Sequence, residues 1–198
     1  MRTLRVARQV HGRSVVLAHR WPGSAPPEAD AVISADPSMA CAIRTADCAP
    51  VLVACLRSGA VAAIHAGWRG IACGVIGAAV DAMARELGAV PSQMLAAIGP
   101  CARACHYEIG EEVASAMDEC GCASAVVRRP GAVRPFLDIA QAAAVHLAHA
   151  GVPGESIDAD FPCSIESPWC PSHRREPANP ARMLSVIAPS GPAPRPAR

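Results

Sequence analysis

Apolar positions run through the chain in short stretches, and the period of each stretch sets the element it predicts. Residues 4–10 (Leu-Arg-Val-Ala-Arg-Gln-Val) and 14–18 (Ser-Val-Val-Leu-Ala) alternate in part and read as two short strands joined at His11-Gly12-Arg13. After a Pro- and Gly-rich loop from Arg20 to Glu28, Ala31-Val32-Ile33 and Cys41-Ala42-Ile43 read as strand fragments about a turn at Asp36-Pro37-Ser38. Val51 to Leu56 and Val61 to His65, separated by Arg57-Ser58-Gly59, predict a hairpin whose second strand ends on His65. Gly67-Trp68-Arg69-Gly70 then leads into an Ala-rich stretch, 71–87, that reads as one helix stopped by Gly88, because glycine takes up the left-handed conformation past a helix end. Leu95 to Ile98 predicts another buried strand; 110–120 and 138–150 predict helices, the second halted by Gly151 and Pro153. Strands and helices interleave without the strict alternation of a doubly wound sheet. The expected fold class is therefore α+β, a layered sandwich of mixed β-sheets flanked by helices.

The 198 residues suit one domain with a sizeable core, taken as residues 1–187, with the Pro/Ala/Arg-rich tail 188–198 expected to be disordered. Hydrophobic residues make up 52% of the chain, yet Arg, Asp, His or Gly interrupts every run before it reaches the roughly 18 apolar residues that a bilayer span needs. No apolar segment or small-residue cleavage site follows Met1-Arg2-Thr3-Leu4-Arg5, so a cytoplasmic location is expected. A formal charge of +1 with scattered arginines argues against a nucleic-acid binder. The absence of lysine makes every basic side chain a guanidinium, which reads as a composition effect. The ten cysteines, in a chain without a secretion signal, are expected to be reduced; Cys41, Cys55, Cys73, Cys120 and Cys122 sit among Ala, Val and Gly and read as small core residues. Cys48 stands apart from them.

Three segments place a metal-ligating side chain beside glycine or acidic neighbours at strand ends: Gln9-Val10-His11-Gly12, Thr45-Ala46-Asp47-Cys48-Ala49-Pro50 and His65-Ala66-Gly67-Trp68-Arg69-Gly70. Two imidazoles and one thiolate suit Zn²⁺ and leave a fourth tetrahedral position open, although ligands this far apart in sequence form no local metal signature, and a core cysteine with two hydrogen-bonded histidines has the same spacing. His106-Tyr107-Glu108 matches half of a zinc deaminase signature, but Cys163 and Cys170 are too far apart to supply the other half. His146 and His149 share a helix face at a spacing that can bind metal or simply face solvent.

In order and spacing, Gln9-Val10-His11-Gly12, Thr45 through Leu52, His65 through Gly70, Ile98-Gly99-Pro100 and Tyr107-Glu108-Ile109-Gly110 resemble the YfiH-like family, also called laccase-domain, multicopper polyphenol oxidase or peptidoglycan editing factor, over residues 5–187. The resemblance implies a zinc cofactor on His11, Cys48 and His65. It also implies phosphorolysis of purine nucleosides (adenosine, inosine or methylthioadenosine, with inorganic phosphate as co-substrate) and a possible adenosine deaminase activity. Family members carry some tens of residues before Gln-Val-His-Gly, where this chain has eight before Gln9, and their Phe-Phe-Ser-His-Arg-Arg and later Gly-Arg become Trp169 through Arg175 and Ala181-Arg182.

Residue chemistry assigns the remaining roles. Arg69, at the start of the expected 71–87 helix, is the first candidate for phosphate, since free N–H groups and the dipole favour an anion there. Asp47 is a proton carrier or a partner that orients the site; Arg44, Trp68, Arg174 and Arg175 are candidate substrate contacts, with His173 in the same basic loop. Two other functions fit the residues: a hydrolase of peptidoglycan precursors with Cys48 as nucleophile and His65 as base, and a zinc-binding module without activity. A multicopper oxidase fits poorly, because the chain lacks any His-x-His pair.

Overall fold

A computed structural model of the chain describes residues 2–21 and 25–190. In chain order the strands and helices are β1 (Thr3–Val6), β2 (Val15–Leu17), β3 (Ala31–Ser34), β4 (Met39–Thr45), β5 (Ala49–Cys55), β6 (Val61–Ala66), α1 (Trp68–Ala72), α2 (Val75–Leu87), β7 (Met94–Ile98), α3 (Glu111–Glu119), β8 (Val126–Val127), β9 (Phe136–Leu137), α4 (Ile139–His149), β10 (Ile157–Asp158) and β11 (Met183–Ile187). The fold is mixed, as the interleaved pattern predicts. A six-stranded sheet runs β10-β7-β5-β6-β3-β2, a three-stranded sheet runs β1-β4-β11, and β8 pairs with β9.

The six-stranded sheet is apolar on both faces, which makes its strands continuous hydrophobic runs in sequence. Side chains alternate between the faces. On β6, Ala62 and Ile64 join Val51, Val53 and Ile33 in a core against α1, α2 and α4, whereas Val61 and Ala63 join Val32, Cys41 and Ile43 in a second core under the three-stranded sheet. His65 follows Val61 and Ala63 in parity, so the last turn of this alternation aims it between the two sheets.

The hairpin expected over Val51–His65 is present, with Pro50 opposite His65. Two expectations need correction, and the topology adds one feature. The strands joined at His11-Gly12-Arg13 lie in different sheets, β1 parallel to β4 in the small one and β2 parallel to β3 in the large one. His11 therefore lies on a crossover between sheets, where it can meet groups from both. The stretch 71–87 is not one helix: Gly74 takes φ +80°, a left-handed value that ends α1 and restarts the chain as α2. Cys73, placed in the core by its neighbours, is exposed at that break. β11 closes the small sheet antiparallel to β4 through Met183–Ile187, a strand not anticipated. Of the tail 188–198, residues 191–198 lie outside the described residues.

Helix α4 begins at Asp138, whose carboxylate accepts the Gln141 backbone N–H at 3.0 Å and pairs with Arg103 at 2.9 Å. Arg103 in turn donates to the Ala159 and Phe161 carbonyls, tying α4 to the 159–163 loop. Replacing Asp138 by Ala should lower stability by about 1–2 kcal/mol through the lost cap, and Tm by roughly 2–8 °C, measured by thermal unfolding.

Candidate metal centre and cleft

Asp30 is where the site begins. It sits fully buried at the head of β3 and receives the backbone N–H groups of His11 at 2.9 Å, Gly12 at 2.7 Å and Val10 at 3.3 Å. Such convergence needs a concave turn, and His11 supplies it at φ 60°, a conformation costing a non-glycine residue about 1–2 kcal/mol. The same carboxylate meets His65 Nδ1 at 2.8 Å. That contact fixes the ring so that Nε2 faces the cavity, the arrangement usual for a metal-bound histidine. Burial alone would push the Asp30 carboxyl up, but the His65 bond and the N–H groups of Gly12 and His11 hold it below its ordinary value.

Cys48 arrives from the β4–β5 turn, where Asp47 takes φ 82°. Asp47 is buried and both carboxylate oxygens are engaged: Ser164 Oγ donates to one and the Arg174 backbone N–H to the other, each at 2.7 Å, while its carbonyl accepts from Ala102. The Cys48 thiol lies 3.9 Å from His11 Nε2, and the His11 and His65 rings meet edge to face with centroids 4.7 Å apart. The three donor atoms lie within 4.8 Å of one another, so His11, Cys48 and His65, far apart in sequence, are brought together. Burial raises the Cys48 thiol, but hydrogen bonds and charge from His11 and His65 overcome it and bring the thiol down to about 7. His65 is lowered by burial and raised more by Asp30 and Cys48, to about 9. Both shifts act in the same sense, favouring a thiolate on Cys48 and a proton on His65 with the Asp30 carboxylate behind it.

The cluster forms the floor of a cleft of about 740 Å³, within the size range of small-molecule sites. Its rim carries Arg8, Arg44, Arg69, Arg174 and Arg182. Arg69 lies 4.3 Å from the Trp68 ring and Arg174 4.8 Å from the Tyr107 ring, so two guanidiniums rest on aromatic faces. Gln9 clamps the backbone of Arg44 with both amide atoms, at 2.7 and 2.8 Å.

Of the residues selected from sequence, Arg44, Asp47, Trp68, Arg69 and Arg174 reach the cleft with the three donors, and so does His173. Arg175 does not. Its guanidinium donates to the carbonyls of Ser164, Ile165, Ser167 and Cys170 and pairs with Glu176, which leaves it holding a loop instead of facing a ligand. The five residues of α1 also give Arg69 no long helix dipole to work with; its aromatic support comes from Trp68. Sequence reading missed Asp30, Gln9, Arg8, Tyr107 and Arg182. Gln9, Tyr107 and Arg182 stand in motifs compared with the family but were given no role, and Asp30 shows in sequence only as a lone carboxylate opening the apolar run Ala31-Val32-Ile33.

Fold and site together define a class: a mixed-sheet sandwich with two imidazoles and a thiol, able to hold a metal ion, on the floor of an arginine-rimmed cleft. The family model described as multi-copper polyphenol oxidoreductase laccase matches residues 1–190, and the chain belongs to that family. A Deinococcus radiodurans protein named purine nucleoside phosphorylase is 39% identical over 182 residues, which cover 90% of this chain and 67% of the relative. The Shigella flexneri protein named purine nucleoside phosphorylase YfiH is 36% identical over 181 residues, 90% of this chain and 71% of its own. The crystal structure of Bacillus licheniformis YfiH superimposes with a TM-score of 0.86 at 26% identity, covering 93% of this chain and 73% of that one. That of YlmD from Geobacillus stearothermophilus gives 0.81 at 27% identity, covering 94% and 73%. Among the described residues, no helix is long and apolar enough to cross a membrane.

Two predictions follow from the donor geometry. A Cβ on Gly67 would lie 2.8 Å from Cys48 Sγ and 3.2 Å from the His11 ring, so Gly67→Ala should push these donors apart and weaken metal binding by at least about tenfold while leaving the fold intact by circular dichroism. Metal binding requires Cys48 as thiolate and His65 as neutral imidazole. With Cys48 near 7 and His65 near 9, titration with a buffered metal should show affinity still rising with pH between 7 and 9 and levelling above 9.

Proposed function

We propose that this chain is a purine nucleoside phosphorylase that works with a zinc ion on His11, Cys48 and His65, converting adenosine, inosine or methylthioadenosine and phosphate to the free base and ribose 1-phosphate. The carrying observation is the juxtaposition of one thiol and two imidazoles with five rim arginines in one cleft. The names borne by the relatives agree with it. The donor set matches the borderline-soft character of Zn²⁺ better than that of Mg²⁺ or Ca²⁺, and three protein ligands leave one position open. Bound there, zinc would supply a Lewis acid able to polarise a phosphate oxygen.

The chain's own groups carry the rest. In phosphorolysis a phosphate oxygen bonds to the anomeric carbon as the bond to the base breaks, and the departing base takes up a proton. Arg69 and Arg174, stacked on Trp68 and Tyr107, offer planar donor pairs whose freedom is already restricted, which suits two-point contact with phosphate. Arg44 and Trp68, both lining the cleft, are assigned to the nucleoside. His173, which also lines the cleft, is assigned as the imidazole that gives the base its proton. Asp47 is a positioning residue: with both oxygens engaged it holds the Arg174 backbone and the turn that presents Cys48.

A second reading has its own observation, the chain Asp30–His65–Cys48, which reproduces the orienting acid, base and nucleophile of a thiol hydrolase. His11 beside the thiol favours a ligand set instead. Rapid alkylation of Cys48 in the zinc-loaded protein, with loss of amide hydrolysis on peptidoglycan precursors, would support the hydrolase.

Purified zinc-loaded protein should release adenine from adenosine only with inorganic phosphate present, forming ribose 1-phosphate. Arg69→Ala should keep its zinc and lose about 2–3 kcal/mol of transition-state binding, roughly 30- to 150-fold in kcat/KM. Adenine without phosphate would mean hydrolysis, inosine from adenosine would mean deamination, and a loaded but inert protein would leave a zinc-binding module.

A further inference from the structure

Among the described residues, two further clusters of thiols and imidazoles lie outside the cleft. In one, Cys120 donates to the Met117 carbonyl at 3.4 Å, Cys122 to Ala142 at 3.6 Å, and His146 Nε2 lies 3.2 Å from the Cys120 carbonyl. Each donor there has a backbone partner, and packing of α4 against the end of α3 accounts for it. The other cluster is different. Its donors, Cys105, His106 and Cys163, lie within 4.8 Å of one another and come from two loops that no helix or strand spans.

We propose that Cys105, His106, Cys163 and Glu166 form a second, structural zinc site, separate from the cleft and independent of the activity assigned to it. Glu166 is the carboxylate next to this trio: its Oε2 lies 3.9 Å from Cys105 Sγ and 4.0 Å from His106 Nδ1, and its exposed side chain has to turn further inward, toward Cys163, to serve as the fourth ligand. In a tetrahedral site with ordinary zinc–sulfur and zinc–nitrogen bonds, neighbouring donors stand roughly 3.4–3.8 Å apart, so Cys105, His106 and Cys163 need only a modest inward shift to close on an ion, and Glu166 a change of rotamer. Two thiolates, an imidazole and a carboxylate fill all four positions, the signature of a structural ion. Binding would release two thiol protons to solvent.

Exposure supports the assignment. Free cysteine is among the most buried residue types, yet Cys105 is exposed and faces another thiol, an imidazole and a carboxylate. A surface His106–Glu166 pair, with side chains 47% and 64% exposed, contributes too little by itself to hold that arrangement. The loops meet for independent reasons: the backbones at Cys101 and Cys163 pair as an isolated parallel β-bridge, Ser164 N–H donates to the Cys101 carbonyl at 2.9 Å, and Arg103 holds the carbonyls of Ala159 and Phe161. The frame thus stands without the ion, and ligand variants will fold.

The position has a consequence for the cleft. His106 precedes Tyr107, which carries Arg174, and Cys163 precedes Ser164, which donates to Asp47. An ion joining the two loops holds two parts of the cleft wall in register without touching the ligand.

The full-length chain, stripped with a chelator and returned to zinc, should retain two equivalents after gel filtration, read by elemental analysis. His106→Ala and Cys105→Ser should each retain one, and Glu166→Gln should weaken the second equivalent on the order of tenfold or more. Loaded with Co²⁺, Cys48→Ser should keep its thiolate charge-transfer absorption, and adding Cys105→Ser and Cys163→Ser should abolish it. A single equivalent in the unmodified chain overturns the proposal. So does loss of all thiolate absorption in Cys48→Ser, loss of the second equivalent in Cys120→Ser but not in Cys105→Ser, or a Cys105–Cys163 disulfide in the protein purified under reducing conditions.

Discussion

Removed from water, the Asp30 carboxylate must find all its hydrogen bonds inside the protein, and meeting that demand organises the whole site. Three successive N–H groups of the 10–12 crossover satisfy part of it and force His11 into its left-handed turn. The His65 ring satisfies the rest and is thereby oriented toward Cys48. One buried anion thus sets the backbone of one donor and the ring of another, and its charge stabilises a cation opposite the thiol.

Around that centre the architecture supplies surface and charge. Two sheets that share no strand leave a cleft where β4 and the crossover diverge, and rim arginines from several segments converge there. Concentrating like charges in a concavity is unfavourable until an anion enters, and the aromatic faces under Arg69 and Arg174 offset part of that repulsion. Asp47 links floor to wall, since its backbone turn delivers Cys48 while its side chain holds the Arg174 segment.

The family's copper name sits uneasily with this donor set. A cluster of two imidazoles and one thiol, open toward an arginine cleft, could hold a single ion and lacks the many imidazoles that a set of several coppers requires. Arg175 illustrates the converse risk of reading function from charge: a guanidinium in a basic loop is spent on four carbonyls and acts as a brace.

Local order was legible in the sequence because apolar period and glycine placement act over a few residues. The β5–β6 hairpin, β7, the bounds of α3 and α4, and the candidacy of His11, Cys48 and His65 at strand ends are all properties of short segments. What pairs with what belongs to the tertiary structure. Only the two-sheet topology separates β1 from β2 and recruits β11, because register depends on burial of facing surfaces remote in sequence. Gly74 breaks a stretch whose composition favours one helix, since glycine's freedom permits a left-handed turn without requiring it. Asp30, Gln9 and Arg182 enter the site through contacts with segments tens of residues away or through a shared cleft wall, and no spacing rule encodes such meetings. The residue types named the chemistry that was available; the packing of two sheets chose which of those groups would face one another.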